Sequence, residues 1–320
     1  SLVAGYAEHG TTDETFNCFF KMKSAGFSPD AVTFICILKV CGSIGCLKMG
    51  EEIHTEVHKK GLLKNNTVLG TALIDMYTKC KVFHKALEVF NELSCRNVLS
   101  WNALISGYAD NGQSHEAFSV YQQMEEIGIK PDHITFLSLL KASSINGEHL
   151  AVNLIHFRIC ECELDLDIMV INTLIDVYTK VGGIDDARRV FDMLLSYNLV
   201  TWNAMISGYA HHSMGQEAFK LFQRMQDRGM DPDKFTYASV LKASSSMLAL
   251  DQGKIVHDQV IQSGFQVDLY LWSSLIDMYV KCGCLEEAQN VFDRLQNRDV
   301  EAWNTLFSTL EACGSIRFLG

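Results

Sequence analysis

The feature of this sequence that most constrains its fold is a long internal repeat. The segment WNALISGYADNG, which starts at Trp101, returns as WNAMISGYAHHS at Trp202 and as WNTLFSTLEACG at Trp303. TFLSLLKAS at Thr135 returns as TYASVLKAS at Thr236, again 101 residues further along the chain. A fixed period of this length indicates stacked copies of one structural module, because a single short module cannot bury its own apolar face.

Each period divides into three units, and each unit has two helical segments. Apolar residues recur at i, i+3, i+4 and i+7 in both segments, which predicts amphipathic helices. In the unit 98–132 the turn between them falls at Asn111-Gly112, and Gly128 followed by Pro131 ends the second helix. We expect the chain to be a fragment that begins and ends inside a unit. The predicted units are 1–30, 31–66, 67–97, 98–132, 133–167, 168–198, 199–233, 234–268, 269–299 and 300–320.

Three kinds of unit alternate, and we name them by their motifs. Trp units carry Trp-Asn at their fourth and fifth residues, Lys units carry T-F/Y-x3-L-K, and short units of 31 residues carry LIDxYxK. The Trp units are 98–132, 199–233 and 300–320. The Lys units are 31–66, 133–167 and 234–268, and the short units are 67–97, 168–198 and 269–299. Positions are counted from the first residue of each unit.

This organisation predicts an all-α protein. The chain has only three prolines, and no strand-like alternation persists in it. Helix–turn–helix repeats of this kind stack into a right-handed superhelical solenoid with one concave face, as tetratricopeptide arrays do. We therefore expect a single repeat array over residues 1–320.

Charge and composition exclude several classes of protein. The formal net charge is −11, whereas nucleic-acid-binding domains are usually basic. No apolar run approaches the roughly 18 residues of a membrane helix, so we expect a soluble protein without membrane contact. The 11 cysteines are an odd number in a long chain, which favours a reducing compartment over a disulfide framework.

The fifth residue is polar in two unit types out of three. It is Asn102, Asn203 and Asn304 in the Trp units, and Thr71, Asn172 and Ser273 in the short units. It is Ile35, Leu137 and Ala238 in the Lys units. An amide or hydroxyl at one fixed helical phase can bond to the Watson–Crick edge of an unstacked base. The alternative is a side chain satisfied by a neighbouring helix, although Asn is unfavourable within helices.

Every complete unit, and the unit 1–30, ends in Asp or Asn. These last residues are Asp30, Asn66, Asn97, Asp132, Asp167, Asn198, Asp233, Asp268 and Asp299. A residue of this type just before a helix is a good N-cap, worth about 1 kcal/mol.

Lysine recurs on the helix face that carries position 5. It occupies position 9 in the Lys units and position 13 in the short units, and positions 5, 9 and 13 share one face. These lysines are Lys39, Lys141 and Lys242, and Lys79, Lys180 and Lys281. Such a stripe suits contact with a phosphate backbone. The alternative is a solvated lysine that supports the C-terminal end of its helix.

The one candidate catalytic motif fits the repeat better than an active site. His54-Thr55-Glu56 matches half of a zinc deaminase signature, but the P-C-x-x-C half is absent. His54 recurs as His156 and His257 at the same phase, which predicts a structural role. We expect no catalytic residue, metal or cofactor, and therefore no enzyme.

The alternation of unit lengths, together with the WNALISGYA, TFLSLLKA and LIDMYTKC motifs, resembles the plant pentatricopeptide repeat proteins of the PLS subfamily. The resemblance covers essentially all 320 residues. It implies a protein of the mitochondrion or chloroplast that binds single-stranded organellar RNA in its concave groove, one nucleotide per repeat. It further implies the choice of sites for C-to-U editing or other transcript processing, with an editing deaminase or another editing-complex protein as partner.

The resemblance also assigns roles to residues. The fifth and last residues of a unit would read one base together, and we call them its reading pair. Position 2 would wedge between bases, although burial in the core is the simpler alternative there; it is Val68, Leu99, Met169 and Val200. Glu301 departs from this pattern. Glu163 stands where neighbouring units have Gly128 or Gly264, which predicts a distorted turn.

The family's two-residue code gives a predicted RNA sequence. It assigns Thr71/Asn97 to A, Asn102/Asp132 to U, Asn172/Asn198 to C or U, Asn203/Asp233 to U and Ser273/Asp299 to G. With one unread nucleotide for each Lys unit, the RNA is 5′-A-U-n-C-U-n-G-3′, bound parallel to the chain. The alternative function is a helical-repeat scaffold for a protein partner, which the acidic net charge favours.

Overall fold

The computed structural model describes residues 5–7, 11–64, 66–164, 167–264 and 269–294, and all regular secondary structure in these ranges is helical. Contacts divide the chain into an N-terminal body, Ser1–Val170, and a C-terminal body, Ile171–Gly320. The helices are α1 (Thr12–Ser24), α2 (Ala31–Ile44), α3 (Leu47–Lys59), α4 (Thr67–Lys79), α5 (Phe83–Glu92), α6 (Val98–Asp110), α7 (Ser114–Glu126), α8 (His133–Asn146), α9 (His149–Glu161), α10 (Ile168–Lys180), α11 (Ile184–Met193), α12 (Leu199–His211), α13 (Gly215–Asp227), α14 (Lys234–Met247), α15 (Leu250–Gln262), α16 (Leu269–Lys281) and α17 (Leu285–Asp293).

The helices pair as the repeat predicts. Even-numbered helices are the first helices of their units, and each begins at the first residue of a predicted unit, as α4 does at Thr67 and α6 at Val98. In the N-terminal body α2, α4, α6 and α8 pack side by side, and α12, α14 and α16 do so in the C-terminal body. The second helices cover one side of these layers, so that α7 packs on α6 and α8, and α13 packs on α12 and α14. The all-α repeat fold predicted from the sequence is confirmed.

Buried aromatic rings fix the helices that carry position 5. Trp101 and Trp202, at position 4, are each 1% exposed. The Trp101 ring packs edge-on against Phe90 of the preceding unit, with centroids 4.7 Å apart, and Trp202 packs in the same way on Phe191 at 5.2 Å. Because the neighbouring residue at position 4 is held in the core, the backbone at position 5 has a fixed place and direction.

Glycine allows the first helices to approach each other closely. A Cβ atom on Gly107 would lie 2.4 Å from Cβ of Thr78 on the preceding first helix, and one on Gly208 would lie 2.4 Å from Cγ2 of Thr179. Both glycines belong to the repeated S-G-Y triplet of the Trp units. This triplet therefore sets the spacing between successive position-5 residues.

The turn at Glu163 keeps the geometry of its glycine counterparts. Gly128 has φ of +80°, Gly264 has +77° and Glu163 has +58°. The amide of Leu164 donates to the carbonyl of Ile159 at 3.1 Å, and the amide of Ile129 donates to the carbonyl of Met124 at the same distance in the turn around Gly128. The distortion expected at Glu163 is thus absent. The cost is instead a left-handed conformation in a residue with a Cβ atom, about 1–2 kcal/mol.

Two further features bear on the class of protein. No helix among the described residues is long and apolar enough to cross a membrane. The cysteines in the described ranges are free thiols.

Candidate nucleic-acid interface

Position 2 is apolar and exposed to solvent in all eight units between residues 31 and 299. In the N-terminal body these residues are 38 to 61% exposed; they are Val32, Val68, Leu99, Ile134 and Met169. In the C-terminal body they are 54 to 58% exposed; they are Val200, Phe235 and Tyr270. The Phe235 and Tyr270 rings lie 6.1 Å apart, on the first helices of successive units. Burial in the core, the simpler sequence-based interpretation of position 2, is therefore wrong.

Three reading pairs are brought together by hydrogen bonds. Nδ2 of Asn102 donates to Oδ1 of Asp132 at 2.8 Å. Nδ2 of Asn203 donates to Oδ1 of Asp233 at 3.0 Å. In the short unit 168–198, Asn172 donates to Asn198 at 3.3 Å. Each bond joins the fifth and last residues of one unit, which are 30 positions apart in the two Trp units and 26 apart in the short unit.

A threonine that the sequence analysis did not single out completes each of these clusters. It is the third residue of the following unit, and its hydroxyl lies 2.5 to 2.7 Å from Oδ1 of the Asn at position 5. The three are Thr135, Thr201 and Thr236. The sequence signal that could have found them is the recurrence of threonine three residues after the last residue of a unit whose position 5 is polar.

The other reading pairs are arranged differently or fall outside the described residues. The hydroxyl of Thr71 donates to the carbonyl of Thr67 in its own helix, at 2.8 Å. Ser273 donates to the carbonyl of Tyr270 at 2.8 Å. Asp299, Asn304, Asp268 and Glu301 lie outside the described residues.

The last residue of each described unit caps the next helix. Its side-chain oxygen accepts from a backbone amide two or three residues on, at 2.8 to 3.1 Å. These caps are Asp30, Asn66, Asn97, Asp132, Asp167, Asn198 and Asp233. The Thr33 hydroxyl and backbone amide, both donating to Asp30, hold the pKa of that carboxyl below its usual range. Capping is thus confirmed, and it leaves a second polar atom on each side chain.

Most of the predicted lysines already contact an acidic partner. Lys79, Lys180 and Lys281 pair with the aspartate one turn earlier in the same helix, at 2.6 to 2.8 Å. Lys141 pairs with Asp110 of the preceding unit at 2.7 Å, and Lys39 is exposed. The stripe is therefore a row of alternating charges and not a purely basic track.

Lys242 differs, because its neighbour is a histidine. Its ammonium lies 2.8 Å from Nδ1 of His211. Partial burial lowers the pKa of both groups, and the nearby ammonium of Lys281 lowers the pKa of Lys242 further. The two lysines and His211 line a cleft of about 400 Å³ with serine hydroxyls and Asp277. Ser239, Ser273 and Ser274 donate their hydroxyl protons to their own helices, so the main donors to an anion are the two ammonium groups, with one carboxylate opposing them.

The histidines at the deaminase-like motif are structural. Nδ1 of His54 lies 2.8 Å from the Tyr77 hydroxyl, and Nδ1 of His257 lies 2.9 Å from that of Tyr279. Burial lowers the pKa of both histidines. In the part of the chain that the structure describes, no three His, Cys, Asp or Glu side chains are placed to hold a metal ion.

Stacked helix pairs with a repeated polar and apolar face define a helical-repeat protein. Models of the PPR repeat family match residues 96–144 and 197–245. The PPR repeat model matches 71–98, 170–199 and 270–300, and the pentatricopeptide repeat domain model matches 1–44. The chain belongs to the pentatricopeptide repeat family.

Curated relatives extend the likeness over nearly the whole chain. A mitochondrial pentatricopeptide repeat-containing protein of Arabidopsis thaliana is 34% identical over 307 residues, which are 96% of this chain and 30% of the relative. A chloroplastic one from the same plant is 32% identical over 306 residues, which are 96% of this chain and 38% of the relative. The chain thus spans less than half the length of these relatives.

A solved structure shares the fold. The crystal structure of the pentatricopeptide repeat protein PPR10 in complex with an 18-nt psaJ RNA element matches with a TM-score of 0.64 and 20% identity. The match covers 97% of this chain and 52% of PPR10.

Proposed function

We propose that this chain binds single-stranded RNA and reads its sequence with the reading pairs. The observation that carries the proposal is the joining of Asn102, Asn172 and Asn203 to the last residues of their units, beside an exposed apolar residue at position 2. Apolar and aromatic faces suit stacking on unstacked bases, and the amides suit their Watson–Crick edges. Membership of the family and the likeness to RNA-bound PPR10 support it.

The Asn–Asp pairs present a hydrogen-bond donor beside an acceptor. Asn102 donates one Nδ2 proton to Oδ1 of Asp132 and accepts from Thr135. The second Nδ2 proton and Oδ2 of the carboxylate remain for a ligand. Uracil presents an N3–H donor beside carbonyl acceptors and satisfies both groups. The same bonds join Asn203 and Asp233, which supports U at both units.

The Asn–Asn pair presents two donors. Oδ1 of Asn198 accepts from the backbone amide of Thr201 at 2.8 Å, so the amide nitrogen of Asn198 is the group left for a ligand. Asn172 adds its second Nδ2 proton. Cytosine offers a lone pair at N3 beside O2 and accepts from both, whereas the N3–H of uracil would meet a donor. This polarity favours C over U at the unit 168–198.

The pair Thr71/Asn97 has an acceptor at position 5. Thr71 donates its hydroxyl proton to its own helix, so only its lone pairs face a ligand. Oδ1 of Asn97 accepts from the amide of Ser100 at 3.1 Å, which leaves the Asn97 nitrogen as a donor. The N6–H and N1 atoms of adenine match this combination. Ser273 is an acceptor for the same reason, and G at that unit rests on the code alone.

The lysines at positions 9 and 13 are proposed to contact phosphates. Lys242 and Lys281 line one cleft, and their two ammonium groups suit one phosphate. The ion pairs of the other lysines compete with phosphate, which predicts weak non-specific binding.

The subfamily, the role in RNA processing and the protein partner are assigned from the resemblance. We infer a PLS-type protein that selects sites for C-to-U editing or other RNA processing and recruits an editing deaminase or another protein of that complex. Its relatives' names, mitochondrial and chloroplastic, support an organellar location.

Fluorescence anisotropy tests the proposal with the 5′-A-U-n-C-U-n-G-3′ RNA and a scrambled RNA at two salt concentrations. The predicted RNA should bind more tightly at both, and Asn203→Ala should weaken it by about 1–3 kcal/mol at one base. Leu137→Ala, at position 5 of a Lys unit, is the matched control and should not change sequence preference. Equal binding of the two RNAs would refute sequence reading.

A second function, binding of a protein partner, is favoured by an exposed apolar stripe on α9. Leu150, Leu154 and Phe157 are 83%, 62% and 59% exposed. Lys48, Glu52 and Thr55 occupy the same phase of α3, so the stripe is not a property of the repeat. Leu154→Lys should release a protein partner and leave RNA affinity unchanged, whereas Asn203→Ala should do the reverse. Binding assays with each ligand distinguish the two functions.

A further inference from the structure

The three threonine hydroxyls contact the reading pairs without being part of them. Oγ1 of Thr135 lies 2.6 Å from Oδ1 of Asn102, Oγ1 of Thr201 lies 2.7 Å from Oδ1 of Asn172, and Oγ1 of Thr236 lies 2.5 Å from Oδ1 of Asn203. Each threonine belongs to the unit after the one whose amide it contacts. The contact therefore joins two successive units at the point where a base is proposed to bind.

The residue type at position 3 follows the residue type at position 5 of the preceding unit. After units with a polar position 5 it is a hydroxyl residue: Ser100, Thr135, Thr201 and Thr236. After the Lys units, whose position 5 is apolar, it is Leu69, Val170 and Leu271, all fully buried. Ala302, which follows the unit 269–299, is the exception and lies outside the described residues. A threonine needed only for the fold would not follow position 5 in this way.

The hydrogen bonds around each hydroxyl determine its direction. The hydroxyl of Thr135 accepts from the backbone amide of Asp132 at 3.2 Å, so its own proton points elsewhere. Oδ1 of Asp132 lies 3.1 Å from this hydroxyl but already accepts from the Thr135 amide and from Asn102. The proton therefore goes to Oδ1 of Asn102, which is also the nearer oxygen. Thr201 and Thr236 repeat the pattern.

This bond fixes which end of the amide faces which neighbour. An amide that turned over would bring its oxygen against the carboxylate of Asp132, or against Oδ1 of Asn198 in the unit 168–198. The threonine proton stabilises the opposite orientation, in which the nitrogen is next to the last residue. One Nδ2 proton then stays directed away from the cluster, free to donate to a base.

We propose that Thr135, Thr201 and Thr236 are positioning residues that set base specificity by holding the amide at position 5 in its donor orientation. They do not touch the base. The inference rests on the proposed RNA-binding function and names residues outside the reading pairs. It also makes the recognition of one nucleotide depend on a residue of the following unit.

The test uses Thr201→Val in the whole chain, with RNAs that carry C or A at the fourth nucleotide of the predicted sequence. Valine has the shape of threonine, and Val170 is buried at this position of another unit, so the variant should fold. Loss of one hydrogen bond should lower affinity for the C-containing RNA about fivefold and reduce the C-over-A ratio. The preference for U at the second nucleotide, beside Thr135, should not change.

Two further variants separate positioning from a structural role. Thr201→Ser retains the hydroxyl and should restore the C-over-A ratio. Thr33→Val removes a hydroxyl that bonds to Asp30 at 2.7 Å and should alter stability without altering base preference. Thermal melting of each variant measures the structural effect independently.

The outcomes distinguish this inference from the function on which it rests. A wild-type chain without preference for the predicted RNA would overturn both. A wild-type chain that prefers it, with Thr201→Val retaining the full C-over-A ratio, would overturn the positioning role alone. If Thr201→Val does not fold, the same comparison made with Thr236→Val at the fifth nucleotide decides the question.

Discussion

The short units 67–97 and 168–198 have the same length and the same LIDxYxK motif, yet their reading pairs are bonded differently. Asn172 reaches the last residue of its unit and the threonine of the next. Thr71 instead donates to the carbonyl one turn earlier in its own helix. The helices and their caps are otherwise equivalent, so the difference comes from the side chain at position 5.

This difference shows how side-chain reach sets hydrogen-bond polarity. The hydroxyl of threonine is attached to Cβ, close enough to the helix backbone to donate to it. The amide of asparagine lies one bond further out, where the next unit satisfies it and leaves a proton free. One substitution thus turns an acceptor into a donor without altering the scaffold.

The largest effect is expected from disrupting the packing of a short unit against the Trp unit that follows it. Gly208→Val would bring a side chain within 2.4 Å of Cγ2 of Thr179 and force α12 away from α10. We expect a loss of about 3 kcal/mol in the free energy of unfolding, as for other overpacked sites. Urea denaturation measures it.

Gly42→Ala is the control for this prediction. Its new methyl group would lie 3.1 Å from Cδ of Lys79, a flexible side chain that can move. It should be nearly neutral, because alanine also favours the helix. An unchanged stability of Gly208→Val would contradict the close packing of the S-G-Y triplet.

A double substitution should convert one short unit into the other. Thr71→Asn with Ser100→Thr gives the unit 67–97 the side chains of 168–198, because Asn97 already corresponds to Asn198. The preference at the first nucleotide should change from A to C by about tenfold, near 1.4 kcal/mol. Anisotropy with the two RNAs measures it. Ser100→Thr alone should still prefer A, and an unchanged preference in the double variant would count against the polarity argument.

Acidification should lower the stability of the helices in which His54 and His257 pack against Tyr77 and Tyr279 of two short units. Burial lowers the pKa of His54 and His257, so the unfolded chain, with ordinary values near 6.5, binds protons that the folded chain excludes. The free energy of unfolding should therefore fall as the pH drops below 6.5. Urea denaturation at pH 7.5 and pH 5.5 measures this change, and His54→Gln should reduce it. A stability independent of pH over this range would contradict the lowered pKa of these histidines.

The smallest effect is expected at the turn after α9. Glu163→Gly should raise the free energy of unfolding by about 1 kcal/mol, because glycine adopts φ of +58° without strain. Gly128→Ala, at the equivalent turn, is the reverse control and should lower it. Thermal denaturation measures both, and a destabilised Glu163→Gly variant would contradict the assignment of strain.

The sequence was sufficient for the features that recur at fixed spacing. The period predicted the helix pairs, and the phase of Asn102 and Asp132 predicted residues that the structure joins. The recurrence of a hydroxyl residue at position 3 was visible in the sequence, but its contact with position 5 was not, because whether Thr135 contacts Asn102 depends on how two units stack. The ion pair of Lys141 could not be predicted either, since Lys141 and Asp110 are brought together only by the packing of α8 on α6.

The most direct measurement of the central claim is the base preference at the fourth nucleotide before and after Asn198→Asp. Aspartate caps the same position at Asp132 and Asp233, so the helix should begin as before. The wild-type chain should prefer C, and the variant should prefer U by about tenfold, because the last residue would then accept from N3–H instead of donating to N3. A variant that still prefers C would contradict the account of how these units read RNA.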